Sequence, residues 1–203
     1  MIITESVAII RFPQPSQAYQ ALSDLRGLAE TGTSLDVRSA ALVERTPEGT
    51  LRVPEQGDAV IGVGTAAGGL AGMLVGVLGG PLGVLLGFGT GALLGGVFDV
   101  DRATGVDSAL ALLSAQIPTG STALIVEAVE ASQEPLDQLA ARFGASVERQ
   151  PAAQVSAEVE AAEAAAEAAQ QEAGRVLRER KRAEAKAKLE DKFDAVTEKL
   201  HRG

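Results

Sequence analysis

Glycine recurs at every fourth residue through the middle of this chain. The first run is Gly64, Gly68, Gly72, Gly76 and Gly80, and the second is Gly83, Gly87, Gly91 and Gly95. Between them lies Gly79-Gly80-Pro81, a strong break signal. Steps of four set each run along one face of a helix. A face without side chains lets a second backbone approach closely, as in small-xxx-small packing between helices in lipid. The stretch from Ala59 to Phe98 has 40 residues, 14 of them glycine, and no charge. It predicts a helical hairpin with arms near Ile61–Gly79 and Leu82–Phe98.

In water each mid-helix glycine costs about 1 kcal/mol relative to alanine. A helix this rich in glycine must therefore be enforced by its surroundings. A bilayer does so, because the backbone there has to pair internally. Arms of 17 to 19 residues would reach about 26–28 Å, the short end of the ~30 Å hydrocarbon core. The leading expectation is bilayer insertion. The alternative is a soluble homo-oligomeric, structural or stress-related assembly with the hairpins buried in its core.

The flanks alternate strand and helix signals. Residues 1–58 give a β-run through Val7-Ala8-Ile9-Ile10, then a helix that Ser16 can cap, with Ala18, Leu22, Leu25 and Leu28 on one face. A strand over Leu35–Val43, a turn at Thr46-Pro47-Glu48-Gly49 and a short return strand at Thr50–Val53 follow. Residues 99–150 give a helix from Asp107 to Ile117, a strand from Thr122 to Val129, a helix from Pro135 to Phe143 stopped by Gly144, and a last strand at Ala145–Arg149. With the hairpin at 59–98 set aside, the first six flanking elements read β-α-β-β-α-β. That order predicts an α+β, ferredoxin-like sandwich with the hairpin inserted between its third strand and second helix. Both ends of the insertion would leave the same side of any membrane.

Residues 151–203 differ in kind. Ala, Glu, Lys and Arg dominate and no proline follows Pro151, which predicts one long helix. Val155, Val159, Ala162, Ala166, Ala169, Ala173 and Val176 follow 4-3 steps, and Leu189, Phe193, Val196 and Leu200 repeat them in a shifted phase. This is a weak, alanine-dominated coiled-coil seam. A solvated single helix is the plainer alternative.

The net charge of −9 is segregated. Residues 1–150 carry 8 arginines, no lysine and 16 acids; residues 151–174 carry 5 acids and no base; residues 175–203 carry 10 bases and 6 acids. An acidic body argues against nucleic acid as a partner, and only the tail could meet phosphates or anionic lipid. There is no cysteine, and the one histidine is His201, near the end. A thiol nucleophile, a His-based triad and a His-rich metal site therefore have no material. Gly62-Val63-Gly64 lacks the acidic residue a dinucleotide loop needs, and Asp99-Val100-Asp101 with Gly105 and Asp107 lacks EF-hand spacing. These acids read instead as caps on the helix that follows. Glu127 and Glu130 read as solvent-facing strand residues. No catalytic, cofactor or metal residue is expected, and the chain reads as a non-enzyme.

The order of parts resembles a known bacterial family. Leu42-Val43-Glu44-Arg45 with Glu48-Gly49, then Gly64 through Phe98-Asp99, then Pro118-Thr119-Gly120-Ser121-Thr122-Ala123-Leu124 is similar to the domain of unknown function numbered twelve sixty-nine, described as a membrane protein. The resemblance covers about residues 1–150, leaves out the tail, and implies no catalytic residues. Together these readings predict a self-assembling, membrane-associated protein with its body and tail on the cytoplasmic side. The glycines Gly64 to Gly95 would be its helix-packing contacts.

Overall fold

A computed structural model describes residues 4–31, 34–47, 49–54, 60–62, 69–79 and 108–201, with side chains as far as residue 184 except at 31 and 60–62. In chain order the elements are β1 (Thr4–Phe12), α1 (Pro15–Thr31), β2 (Leu35–Arg45), β3 (Leu51–Arg52), β4 (Val60–Gly62), α2 (Leu70–Gly79), α3 (Ala109–Ala115), β5 (Thr122–Glu130), α4 (Glu134–Arg142), β6 (Ser146–Pro151) and α5 (Ala152–His201). The fold is α+β. The chain divides into two compact units, Met1–Glu163 and Ala164–Gly203.

The first unit is built on an antiparallel sheet in the order β3-β2-β5-β1-β6, with β4 pairing the β3 edge of β2. Its long strands are buried on both faces. Along β1, Val7 and Ile9 point into one apolar cluster, while Ala8, Ile10 and Phe12 point into the other. Along β5, Ala123 and Ile125 take the first face and Leu124, Val126 and Ala128 the second. Consecutive apolar residues in Val7-Ala8-Ile9-Ile10 and Ala123-Leu124-Ile125-Val126 reflect this double burial, as period-two side chains need partners on either side.

Helices α1 and α4 cover one face. Ala18, Ala21, Leu22 and Leu25 pack there with Leu136, Leu139 and Ala140, and Phe12 meets Phe143 edge to face at 5.9 Å between centroids. The helix α1 begins at Pro15 rather than after Ser16, with Gln17 Oε1 accepting from the Gln14 N–H at 3.2 Å. Proline suits a first helical position because its missing N–H would be unpaired anyway. The other face is covered by α2, α3 and the start of α5, through Leu74, Val77, Leu113, Val155 and Val159 among others.

The structure departs from several sequence-based expectations. The return strand at Thr50–Val53 shrinks to Leu51–Arg52 at the sheet edge, and the strand beside β2 and β1 is β5. The helix within Asp107–Ile117 forms as α3, but on the face opposite α1; α4 is the helix that shares the α1 face. The first hairpin arm is not one helix over Ile61–Gly79. Val60–Gly62 is a strand on β2, and the helix runs only from Leu70 to Gly79. The reason is pairing: the outer edge of β2 offers ladder hydrogen bonds that a free apolar helix would leave unmade.

Glu130 is buried, not solvent-facing, with 2% of its surface exposed. Arg149 reaches it from β6 through Nε at 2.9 Å and Nη2 at 3.0 Å, and Ser6 Oγ adds a bond at 3.0 Å. The same guanidinium donates to Asp137 Oδ1 at 2.8 Å and to the Gln133 carbonyl at 3.2 Å. A fork with fixed donors suits this task, since one side chain ties β5, β6 and the start of α4. Burial opposes the charge on Arg149, but its bonds to Glu130 and Asp137 outweigh that and raise its pKa.

In the second unit α5 continues as helix to His201. Its side chains are mostly exposed, with Val176 at 50% and Leu177 at 58%. Of the expected seam, Val155, Val159 and Ala162 belong to the core of the first unit. The side chains of Leu189, Phe193, Val196 and Leu200 lie outside the described residues.

Arg149→Met should leave the Glu130 charge buried without its main partner and cost about 3–5 kcal/mol. Urea unfolding measures it. Adding Glu130→Leu should recover most of that loss, whereas no recovery would mean that packing, not charge, dominates there.

Candidate functional site

The uncharged segment is where the sequence concentrates its packing signal, and α2 is its described helix. Two residues on neighbouring strands fix where α2 starts. Ser39 of β2 lies opposite Glu127 of β5 in the register, and both point to the face that α2 covers. Glu127 Oε2 accepts from Ser39 Oγ at 2.6 Å and from the Leu70 N–H at 2.9 Å. Ser39 Oγ in turn accepts from the Ala71 N–H at 3.2 Å. The carbonyl of Gly69 takes the next two N–H groups, those of Gly72 and Met73. The first turn of a buried helix thus has partners, and its positive end meets a carboxylate.

Two glycines outside the four-residue rhythm make this docking possible. Gly69 has φ +92°, and a Cβ there would sit 2.5 Å from Ser39 Cβ and 3.0 Å from Glu127 Oε2. At the other end, a Cβ on Gly79 would collide with the Leu51 carbonyl oxygen. Both are glycine because a strand lies against them. Leu70, Ala71, Leu74, Val77 and Leu78 are buried. Each large apolar side chain buried there stabilises by about 1.5–3 kcal/mol, more than the ~1 kcal/mol that each interior glycine costs. Burial decides, and α2 holds.

The opposite face of α2 is different. Gly72 is half-buried, while Gly76 and Met73 are exposed, Met73 at 40%. Among the described residues, a Cβ on Gly76 would meet nothing within 4 Å. Of the glycines expected to pack helices, then, Gly72 and Gly76 lie on a described helix, and Gly76 has no close neighbour among the described residues. Gly64, Gly68, Gly80, Gly83, Gly87, Gly91 and Gly95 lie outside the described residues, as does the arm Leu82–Phe98. Among the described residues no helix is long and apolar enough to cross a membrane.

The short helix α3 is held by the same device. Glu158 of α5 accepts from the Ala109 N–H at 2.9 Å, the Leu110 N–H at 3.0 Å, Ser108 Oγ at 2.7 Å and Gln154 Nε2 at 3.0 Å. Ser108 also caps the Ala111 N–H. Towards the far end of α3, Arg45 Nη2 donates to Ser114 Oγ at 2.7 Å. Opposite charges at opposite ends fit the helix dipole. The expected capping role of the acids before this helix falls on residues outside the described ones, and the described cap is Ser108 with Glu158. Burial pushes the Glu158 carboxyl up, but the bonds from Leu110, Ser108, Ala109 and Gln154 together bring it below the usual carboxylate range.

Ser39, Gly69 and Glu158 were not singled out in the sequence, and Glu127, expected to face solvent, is instead half-buried with its carboxylate under the start of α2. The signal available was a carboxylate set inside or beside an apolar run, as in Ile125-Val126-Glu127-Ala128-Val129. Elsewhere, an open cleft of about 960 Å³ lies beside Leu28, Ser34, Leu35, Gln138 and Arg142. Arg142 there pairs with Asp24 at 3.2 Å. Among the described residues no group of three or more acidic or histidine side chains could hold a metal ion. No protein-family model matches the chain, and no match is found among curated proteins or solved structures.

Glu158 gives a pH prediction. Its folded pKa is depressed, so its stabilisation is full above the unfolded value of about 4.3 and fades as pH falls through the lower folded value. The stability gap between the native chain and Glu158→Gln should therefore be constant near neutrality and close in acid, as read by urea midpoints. A gap independent of pH would deny the carboxylate this role.

Proposed function

We propose that this is a non-enzymatic, self-assembling protein that packs against a second copy of itself through its Gly-rich segment. One observation carries the reading: α2 buries its leucines within its own body and turns an uncharged face with Gly72, Met73 and Gly76 outward. A helix face with open space above a glycine admits close approach of another backbone.

The body reads as a ferredoxin-like sandwich. Supporting this are the order β2-β5-β1-β6 and the two helices α1 and α4 on one face. The insertion then falls between the second and third strands of that sandwich, and its α2 and α3 close the sheet face opposite α1 and α4. The family resemblance proposed from the sequence rests on its quoted motifs alone.

A second reading keeps the bilayer. The 40 uncharged residues from Ala59 to Phe98 favour it, with body and tail on the cytoplasmic side and the basic stretch from Arg175 to Lys192 near anionic headgroups. The burial of α2 limits the part left for lipid to the later half of the segment. Particle size separates the two readings. Self-assembly predicts a detergent-free oligomer that stays in the supernatant after high-speed centrifugation. Complete sedimentation with membranes would favour the bilayer, and a monomer under all conditions would defeat both.

Gly76→Leu should reduce the oligomer while leaving the unfolding midpoint within about 1 kcal/mol of the native chain, because the mutated face is exposed. Sedimentation velocity reads the first and urea unfolding the second. An unchanged oligomer would remove α2 from the contact.

A further inference from the structure

The second unit carries a charge pattern that specifies its own partner. Residues 164–174 of α5 hold Glu167 and Glu172 and no base. Residues 175–189 hold Arg175, Arg178, Arg180, Lys181, Arg182, Lys186 and Lys188 against only Glu179 and Glu184. At the junction sit Val176 and Leu177, two of the few large apolar side chains exposed among the described residues. The ion pairs Arg175–Glu172, Arg175–Glu179 and Arg180–Glu184 all join residues of α5 itself, on side chains more than half exposed. They leave the acidic-then-basic polarity of the helix uncompensated.

A second copy laid parallel would set the basic stretch against itself, a like-charge arrangement that disfavours association. A second copy laid antiparallel sets the acidic stretch against the basic one. With a two-fold axis at Val176, Glu172 comes opposite Arg180, and Glu167 comes beside the position of Lys186. The same axis brings Ala169 opposite Ala183, two heptads apart on one stripe, so small residues face small residues across the seam. The contact is then isologous, the same patch used by both partners.

We propose that residues 164–188 of α5 pair antiparallel with the same residues of a second copy, centred on Val176. This contact is separate from the one at α2 and needs no glycine face.

The chain has no cysteine, so introduced thiols report on it cleanly. Full-length Ala169→Cys and Ala183→Cys variants are oxidised singly and as an equimolar mixture. A disulfide forms only where Cα atoms come within about 7 Å. The antiparallel pair predicts a mixed disulfide between the two variants, severalfold above the homodimer of either alone, and weakened by high salt. Homodimers of each variant with no mixed product would mean a parallel pair and overturn the proposal. No cross-link in any combination would mean a solitary helix and overturn it as well. So would a chain that cross-links nowhere but binds vesicles of phosphatidylserine in phosphatidylcholine, which would give the basic stretch to lipid. Repeating the mixture in a Gly76→Leu background keeps the two contacts distinguishable: the mixed disulfide should persist there even where assembly through α2 is lost.

Discussion

The carboxylate of Glu127, set opposite Ser39 and under the start of α2, is the contact on which the second layer of this protein depends. A helix made of glycine and aliphatic residues has little tendency to form in water. Buried against a sheet, it must also find partners for the N–H groups of its first turn, because burying them unpaired would cost more than the helix gains. Glu127 and Ser39 supply those partners from strands that were never neighbours in sequence. Glu158 does the same for α3. Two short helices of low intrinsic stability are thus pinned at their positive ends by side chains from elements that stand on their own.

Once the layer is pinned, much else follows. The sheet is closed on both sides, which is why its long strands run apolar without alternation. The start of α5 becomes core material, so Val155 and Val159 are buried while Val176 and Leu177 are not. Gly69 and Gly79 must be glycine because strands press on them. At Gly76 no described residue lies within reach of an added Cβ.

Much of the architecture was legible in the sequence. The strands over Val7–Ile10 and Thr122–Val129 announced themselves by β-branched and apolar runs, the strand over Leu35–Val43 by its alternation, and the end of the helix before Gly144 by that glycine. The long tail followed from composition alone. What escaped was where the first glycine arm goes. An uncharged, Gly-rich, apolar helix has the same sequence whether lipid, a second copy or its own sheet covers it, since the pattern describes the helix face and not its cover. The decisive pairings are also long-range: Ser39 and Glu127 are 88 residues apart, and Ser108 and Glu158 are 50. Glu130 looked exposed because its neutralising Arg149 sits on another strand. In each case a polar residue beside an apolar run marked a buried contact whose partner only the topology could name.

Helix α2 closes the protein's own core through Leu70, Leu74, Val77 and Leu78. Native-state hydrogen exchange on the detergent-free protein tests it most directly. Amides from Leu74 to Gly79 should be protected to nearly the same free energy as those of β1 and β5, and Glu127→Ala should lower the protection of α2 far more than that of the sheet. Exchange of the α2 amides at the rate of an unfolded chain while the sheet stays protected would contradict it.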